Sequence, residues 1–372
     1  MAVELAEVRT RRELKEFIFL PEKVHARHAQ WIPPIYSDEW RYFDARRNRS
    51  FTYSDTVLVL ARRNGRAIGR VMGIINRRVI EKTGEKNARF GFLESFEDEA
   101  AVHGLLRYVE DWARARGMNK IVGPMGFTDQ DPEGLLIEGY DEEPVISLYQ
   151  NFPYLPKFVE SAGYTKEIDY VDYMLEIPKE IPPLYARILK RMANRPETKL
   201  VEFTRTREVK HYIRPVLRLM NETFVDIYGY SPLDEQEMDN LAKQYLPLLD
   251  PRFIKVVERN REVVAFVVGI PNFNPGLRRS RGRLWPFGIL HILRALKRSK
   301  QLDLLLGGVR QDCRGQGLDV LMGAAMKRSA IAAGMTRSDS NHELETNTSV
   351  RAEMERLGGK ISKRFRIYQK AL

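Results

Sequence analysis

The stretch VRQDCRGQGLDV, from Val309 to Val320, sets two glycines and two arginines between the apolar run LDLLLGG and the helix-like MGAAMKRSAIAAG. A strand, a glycine-spaced loop and a helix in that order suit an anion. Glycine lets the backbone come close, and the free amides at a helix start point at phosphate. Spacing decides which phosphate loop it is. A Walker loop closes on Gly-Lys-Ser/Thr, whereas Gly317 is followed by Leu318 and Asp319. A dinucleotide fingerprint needs a third glycine that this loop lacks. The plainer reading is a tight turn carrying surface arginines. Cys313, the single cysteine, lies between Arg310 and Arg314, a setting that favours thiolate. No histidine neighbours it in sequence, and we read it as incidental.

The elements that must hold this loop occur twice. At an offset of 196 residues, the interval from Asn64 to Asn260, the segment VLVLARRNGRAIGRVMGIIN faces FIKVVERNREVVAFVVGIPN. Gly73 then falls on Gly269, Asn76 on Asn272 and Asn151 on Asn347. Asn64-Gly65 between apolar runs predicts a tight hairpin over Val57–Asn76. Apolar residues three and four apart predict helices over Ala100–Arg116 and Leu318–Ala333. The period is too long for a solenoid, so we read two copies of one α+β unit with a mostly antiparallel sheet. The proline-rich IPKEIPPLYARILKRMANRP, with its short helical pattern, serves as the connector.

The 372 residues are 43% hydrophobic and 30% charged, enough for two cores. No apolar run is long enough to cross a membrane, and MAVELAEVRTRRELKEF lacks the apolar centre of a signal peptide. One cysteine excludes a disulfide framework and a cysteine-rich zinc site, so the expected location is the cytoplasm. The net charge of +11 calls for anionic partners. It is concentrated in Pro271 to Lys300, which has eight Arg or Lys and no acid. There RRSRGRLWPFGILHILRALKRSK interrupts the second copy, mixing Trp285, Phe287 and aliphatic residues with cations. That mixture fits a helix lying on an anionic membrane, through 278–300, as well as a packed helix with a solvated basic face. Nucleic acid is disfavoured, since no recognition motif accompanies the charge.

Arg-Gly-Gln-Gly-Leu at Arg314–Leu318 resembles the acyl-CoA loop of the GNAT acyltransferase superfamily, Q/R-x-x-G-x-G/A. ELETNTSVRAEMERLGGK adds Asn347 and Gly358 at the superfamily's spacing, and KISKRFRIYQKAL completes its strand order. The resemblance implies an α+β (mixed α/β) fold of two tandem GNAT-like domains, each a twisted, mostly antiparallel sheet flanked by helices. The expected parts are a degenerate copy over 1–182, a connector over 183–198, and a copy over 199–372 interrupted at 273–300. FGFLESF enters its helix without a glycine loop, so one cofactor site is expected, in the second copy.

The resemblance further implies direct transfer of an acyl group from acyl-CoA to an amine, without metal. The CoA would lie on Val309, Arg310, Arg314, Gly315, Gln316, Gly317, Leu318 and Asn347, with backbone amides near Val309 facing the thioester oxygen. Glu345 on HELET is the first candidate base, His342 and Glu343 are alternatives, and Glu94 could reach across from the first copy. Members that make N-acyl amino acids or bacterial ceramides use long chains, so a long-chain acyl group and a membrane-associated or lipidic amine are the favoured elaboration. Two residues depart from the pattern. Asp319 replaces a Gly or Ala, and Met354 stands where many members have a tyrosine acid, leaving that role unassigned. They sustain a rival reading, a catalytically degenerate GNAT-fold protein that binds CoA, lipid or nucleic acid as a regulator.

Overall fold

The computed structural model describes residues 2–145, 148–193, 197–225 and 227–372. Its first half runs β1 (Glu4–Glu7), α1 (Arg11–Val24), α2 (Tyr36–Tyr42), β2 (Ser54–Arg63), β3 (Arg66–Asn76), α3 (Arg77–Thr83), β4 (Asn87–Ser95) and α4 (Glu99–Arg114). It ends with β5 (Lys120–Gly123), β6 (Leu135–Glu138), α5 (Tyr154–Ser161) and β7 (Thr165–Glu176). Helix α6 (Pro183–Ala193) follows; 194–196, within the expected connector, lie outside the described residues.

The second half repeats the order with β8 (Thr198–Glu202), α7 (Thr206–Thr223), α8 (Glu235–Tyr245), β9 (Ile254–Arg259) and β10 (Glu262–Pro271). Two helices, α9 (Asn274–Ser280) and α10 (Gly288–Arg298), occupy the basic insertion. Then come β11 (Gln301–Val309), α11 (Leu318–Ala332), β12 (Arg337–Asp339), β13 (Glu343–Leu344), α12 (Thr348–Arg356) and β14 (Lys360–Ala371). Both hairpins turn through an asparagine with φ 53°, Asn64 and Asn260, a left-handed conformation that asparagine tolerates better than most residues.

Among the described residues fourteen strands join one sheet, in the order β1-β2-β3-β4-β5-β14-β7-β12-β11-β10-β9-β8, with β6 on β14 and β13 on β7. The pairing is antiparallel except at β4–β5 and β11–β12. The halves exchange their last strands. β14, from the chain's end, lies between β5 and β7, and β7 lies between β14 and β12. The expected architecture is present, and the exchange fuses its two sheets.

Helices cover both faces of the second half because its strands alternate. Val256 and Phe266 pack beneath α7 with Leu217 and Met220. Their neighbours Val257 and Ala265 face the other way, against Leu318 and Leu321 of α11. The loop and the α7–α8 side therefore belong to opposite faces.

Candidate active site

β11 and β12 pair only over Gln301–Asp303 and Arg337–Asp339. Beyond that point the chain after β12 turns to β7, where the Ser340 amide donates to Tyr173 O at 2.9 Å. β11 continues to Val309 with β10 as its only strand partner, and its register slips between Val268 and Gly269. The result is a fork in the sheet. The Arg310 amide donates to Val264 O across β10. Strand alternation therefore turns the Val309 amide the other way, into the fork.

The glycine loop stands at the fork on the α11 face. Gly315 and Gly317 have φ of 71° and 81°, and a Cβ on either would meet nothing within 4 Å. Gly317 caps α11 without any side-chain hydrogen bond, so the helix's first amides remain available for an anion. Arg314 Nε donates to Val309 O at 3.2 Å, setting its guanidinium beside the fork. Arg310 is bound to Asp312 and Glu262, and Gln316 to Arg259 and the Asp312 carbonyl. The residues therefore fit a pyrophosphate, with Arg314 as the cation nearest the fork. Asn347 serves as the N-cap of α12, accepting from the Val350 amide at 3.4 Å. Asp319 lies near Glu353 of α12, whose carboxyl is raised by burial and by that neighbour. Cys313 is fully buried, with Arg259 Nη1 3.5 Å from its sulfur.

In the first half the equivalent places are filled. Asp98 caps α4, accepting from the Ala101 amide at 3.1 Å. Past the β4–β5 pairing, the Met125 amide donates to Phe90 O at 2.9 Å, so the chain itself closes that fork.

On the opposite face a cavity of about 210 Å³ opens between α7, α8 and strands β9 to β11. Most of its wall is aliphatic, including Ile213, Val216, Leu241, Leu246, Val268 and Leu306. The helices supply that wall because their apolar residues recur at three- and four-residue spacing. One end is polar: Asp129, Gln130, Asp131 and Glu133 come from the first half, Asn341 and His342 from the turn after β12. Asp129 Oδ1, Gln130 Nε2 and Asn341 Oδ1 are buried there without hydrogen-bond partners, and the Glu133 carboxyl faces the Tyr170 hydroxyl. Buried polar atoms normally find partners, so this end of the cavity offers donors and acceptors to a polar group. Burial raises the Asp129 carboxyl to about 7, with Asp131 adding to the rise and Arg89 opposing it. Burial pushes Glu133 well above the carboxylate range, reinforced by Asp129.

His342 is fixed at this end by groups from both halves. Its Nδ1 lies 2.7 Å from Asp172 Oδ1 of β7, and its ring stacks on Tyr170 at 5.0 Å. Burial opposes ionisation of Asp172, but His342 and Lys363 of β14 together hold it below the usual carboxylate value. Lys363 Nζ also donates to Asp339 at 2.6 Å. Behind them Asp303, bound by Asn272 and Gln301, is raised by burial and by Asp339 to about 7.

The other candidate bases lie elsewhere. Glu345, the first choice from sequence, is on the outside of β7, paired with Lys166 at 2.6 Å and accepting from the Asp169 amide at 3.1 Å. Glu343 is half-buried on β13 and raised to about 8, by desolvation and then by Asp172 and Glu353. Glu94 is buried in the first half, 2.9 Å from His25 Nε2, whose other nitrogen meets His28 at 2.9 Å. Met354 is partly buried and packs against Val171, Tyr173 and Leu175. Sequence reading missed Asp172 and the acids of GFTDQDPEG. Their only trace was the density of carboxylates in a first-half loop. Among the described residues no group of three or more His, Cys, Asp or Glu could hold a metal ion, and no helix is long and apolar enough to cross a membrane.

No family model matches the chain. It is 30% identical over 372 residues to the bacterial ceramide synthase of Caulobacter vibrioides, covering 98% of this chain and 96% of that one. It is 25% identical to protein YghO of Escherichia coli K12, covering 97% and 94%. Among solved structures, a tandem GNAT protein from the clavulanic acid biosynthesis pathway superposes with a TM-score of 0.57 at 13% identity, over 99% of this chain and 98% of that one. A GCN5-related N-acetyltransferase from Sphaerobacter thermophilus gives 0.54 at 12% identity, over 99% and 95%. With the duplicated order, the forked sheet and a relative matched along nearly its whole length, the chain belongs to the family of the bacterial ceramide synthase, tandem GNAT-fold acyltransferases that join an acyl group to an amine.

Proposed function

We propose that this enzyme transfers a long acyl chain from acyl-CoA to the primary amine of a lipidic amino alcohol, as the name of the Caulobacter relative suggests for that protein. The carrying observation is the aliphatic cavity that ends on His342 and on the carboxyls of Asp129 and Glu133. An apolar cavity of ~150 Å³ accepts benzene, so about 210 Å³ suits an aliphatic tail better than an acetyl group. In this reading the copies 1–182 and 199–372, joined by 183–198, divide the work. The second copy holds the donor on Arg314–Leu318 and in the fork. The first copy supplies the acids that recognise an ammonium and hydroxyls, and the Asp172 carboxylate.

The chemistry then needs three things of the chain. His342 Nε2, 3.4 Å from the Glu133 carbonyl, exchanges that contact for the acceptor's ammonium and takes its proton, with Asp172 fixing the ring and balancing the charge. The freed amine attacks the thioester carbonyl, whose oxygen faces the Val309 amide. As the tetrahedral adduct collapses, the C–S bond breaks and the amine loses its second proton while the thiolate gains one. No side chain is assigned to that last delivery. Tyr228, Tyr230 and Tyr368 are engaged with Glu167, Asn221 and Glu160.

The test is thiol release from acetyl-, octanoyl- and palmitoyl-CoA with a long-chain amino alcohol. Palmitoyl-CoA should be preferred, with turnover lost in His342→Ala while donor binding persists. A preference for acetyl-CoA, or full activity of His342→Ala, would overturn the reading.

A further inference from the structure

The basic insertion is held as a rigid unit. α9 and α10 pack so closely at Gly276 that a Cβ there would lie 2.7 Å from Ile292 Cα. Their inner stripe, Leu277, Ile292, Ala295 and Leu296, joins one apolar cluster with Ile270 and Phe273. Polar ties bind the unit to the first half, three of them through side chains of α9 and the turn after it. Asn274 Nδ2 donates to Pro144 O at 2.8 Å, Arg278 pairs with Glu143 at 2.9 Å, and Arg283 pairs with Glu22 at 2.9 Å.

The outer side is left apolar and charged together. Trp285 is 86% exposed, Phe287 68%, Leu290 59% and Leu293 41%. These are not scattered single residues, which would need no explanation, but one contiguous turn and helix stripe. Among the described residues the side chains of Arg279, Arg281, Arg294, Lys297 and Arg298 make no hydrogen bond or ion pair. No acid lies between Pro271 and Lys300 to neutralise them. Five unpaired cations around projecting aromatic and aliphatic side chains complement one kind of surface. Trp285 and Phe287 would enter the interfacial layer while the cations meet phosphate. A second copy on this face would set like charges against like. Nucleic acid would match the charge and leave the apolar stripe in water.

We infer that the outer face of α9–α10, with the Trp285–Phe287 turn, docks on an anionic lipid bilayer. The docked unit shares a wall with the cavity, because Leu305 packs against the insertion's inner cluster and also lines the cavity. The cavity therefore adjoins the docked unit, and in the proposed reaction the apolar tail would enter it from that side. That last step rests on the proposed reaction; docking itself does not.

Flotation of the full chain with phosphatidylcholine vesicles, with and without phosphatidylglycerol, tests it. The expected result is about ten-fold or greater partition onto the anionic vesicles, weakened by salt. Trp285→Ser/Phe287→Ser and Arg294→Glu/Lys297→Glu/Arg298→Glu should each abolish it. All five side chains are exposed, so unchanged melting temperatures should accompany the loss. No flotation, or flotation unaltered in both variants, overturns the inference. So does a wild-type dimer that Trp285→Ser/Phe287→Ser makes monomeric, or RNA binding in place of vesicle binding. Flotation reads docking without turnover. A chain that floats yet transfers no acyl group would sink the catalytic reading and leave the docking intact.

Discussion

His342 meets the cavity carrying a carboxylate from the other half of the chain, and that pairing sets the single-residue expectations. His342→Ala should lower kcat by ~10²- to 10⁴-fold, the usual worth of a positioned base, while the dissociation constant for acyl-CoA stays put. Asp172→Asn should lower kcat less, with Lys363 then facing one fewer charge. Glu345→Gln should change the rate by under about two-fold, since a partly exposed ion pair contributes little, ~0–1 kcal/mol. Single-turnover rates on the three variants rank them. Glu343, raised to about 8 by burial, makes a separate prediction. Its folded state binds a proton that the unfolded chain releases near the ordinary carboxylate value. Its contribution is therefore full below that value and is lost as pH rises toward about 8. Melting temperature should fall across that window, and Glu343→Gln should flatten the slope and gain on wild type at its alkaline end. The sequence offered HELET as the site strand, which brought His342 and Glu345 forward together. Strand alternation could not say which faced a cavity whose other walls come from α7, α8 and 129–133. Asp172 was illegible because a buried carboxylate and a surface one look alike in sequence.

At the scale of elements, the loop and its helix were the legible part, because glycine at Gly315 and Gly317 answers a backbone need that shows in the letters. Gly317→Ala should cost ~1–2 kcal/mol of strain at its φ of 81°, and should weaken acyl-CoA binding about ten-fold by adding a methyl beside the open amides. Gly323→Ala, one turn into α11 with nothing within 4 Å, is the matched control. It should stabilise by ~0.4–1 kcal/mol and leave binding alone. Calorimetric titration with acyl-CoA and thermal melts check both. The hairpins were equally legible, since Asn64 and Asn260 supply the same left-handed turn. The cavity was not. Its wall reads as ordinary amphipathic helix, and a helix's apolar stripe does not announce whether it meets a strand or a void.

For the molecule as a whole, the repeat at Asn64 and Asn260 revealed two copies but not how they join. β7 and β14 are corresponding strands of the two halves, and nothing in a strand's alternation names its partner. Each pairs with the other copy's sheet, Tyr368 opposite Gly123 and Ser338 opposite Leu175. Residues 1–182 and 199–372 made separately should each be insoluble, whereas co-expressed halves should co-purify through a tag on one. Independent folding of either fragment would contradict the exchange.

That exchange also bears on how the protein is made. A ribosome delivers the first half long before Lys360–Ala371 exist, so β5 and β7 emerge with the slot between them empty. Until Lys360–Ala371 are translated, the nascent chain carries open strand edges, and any passing polypeptide can occupy them. Synthesis of this enzyme should therefore lean on chaperones that shield nascent chains, and a stop codon before Lys360 should cost the whole molecule.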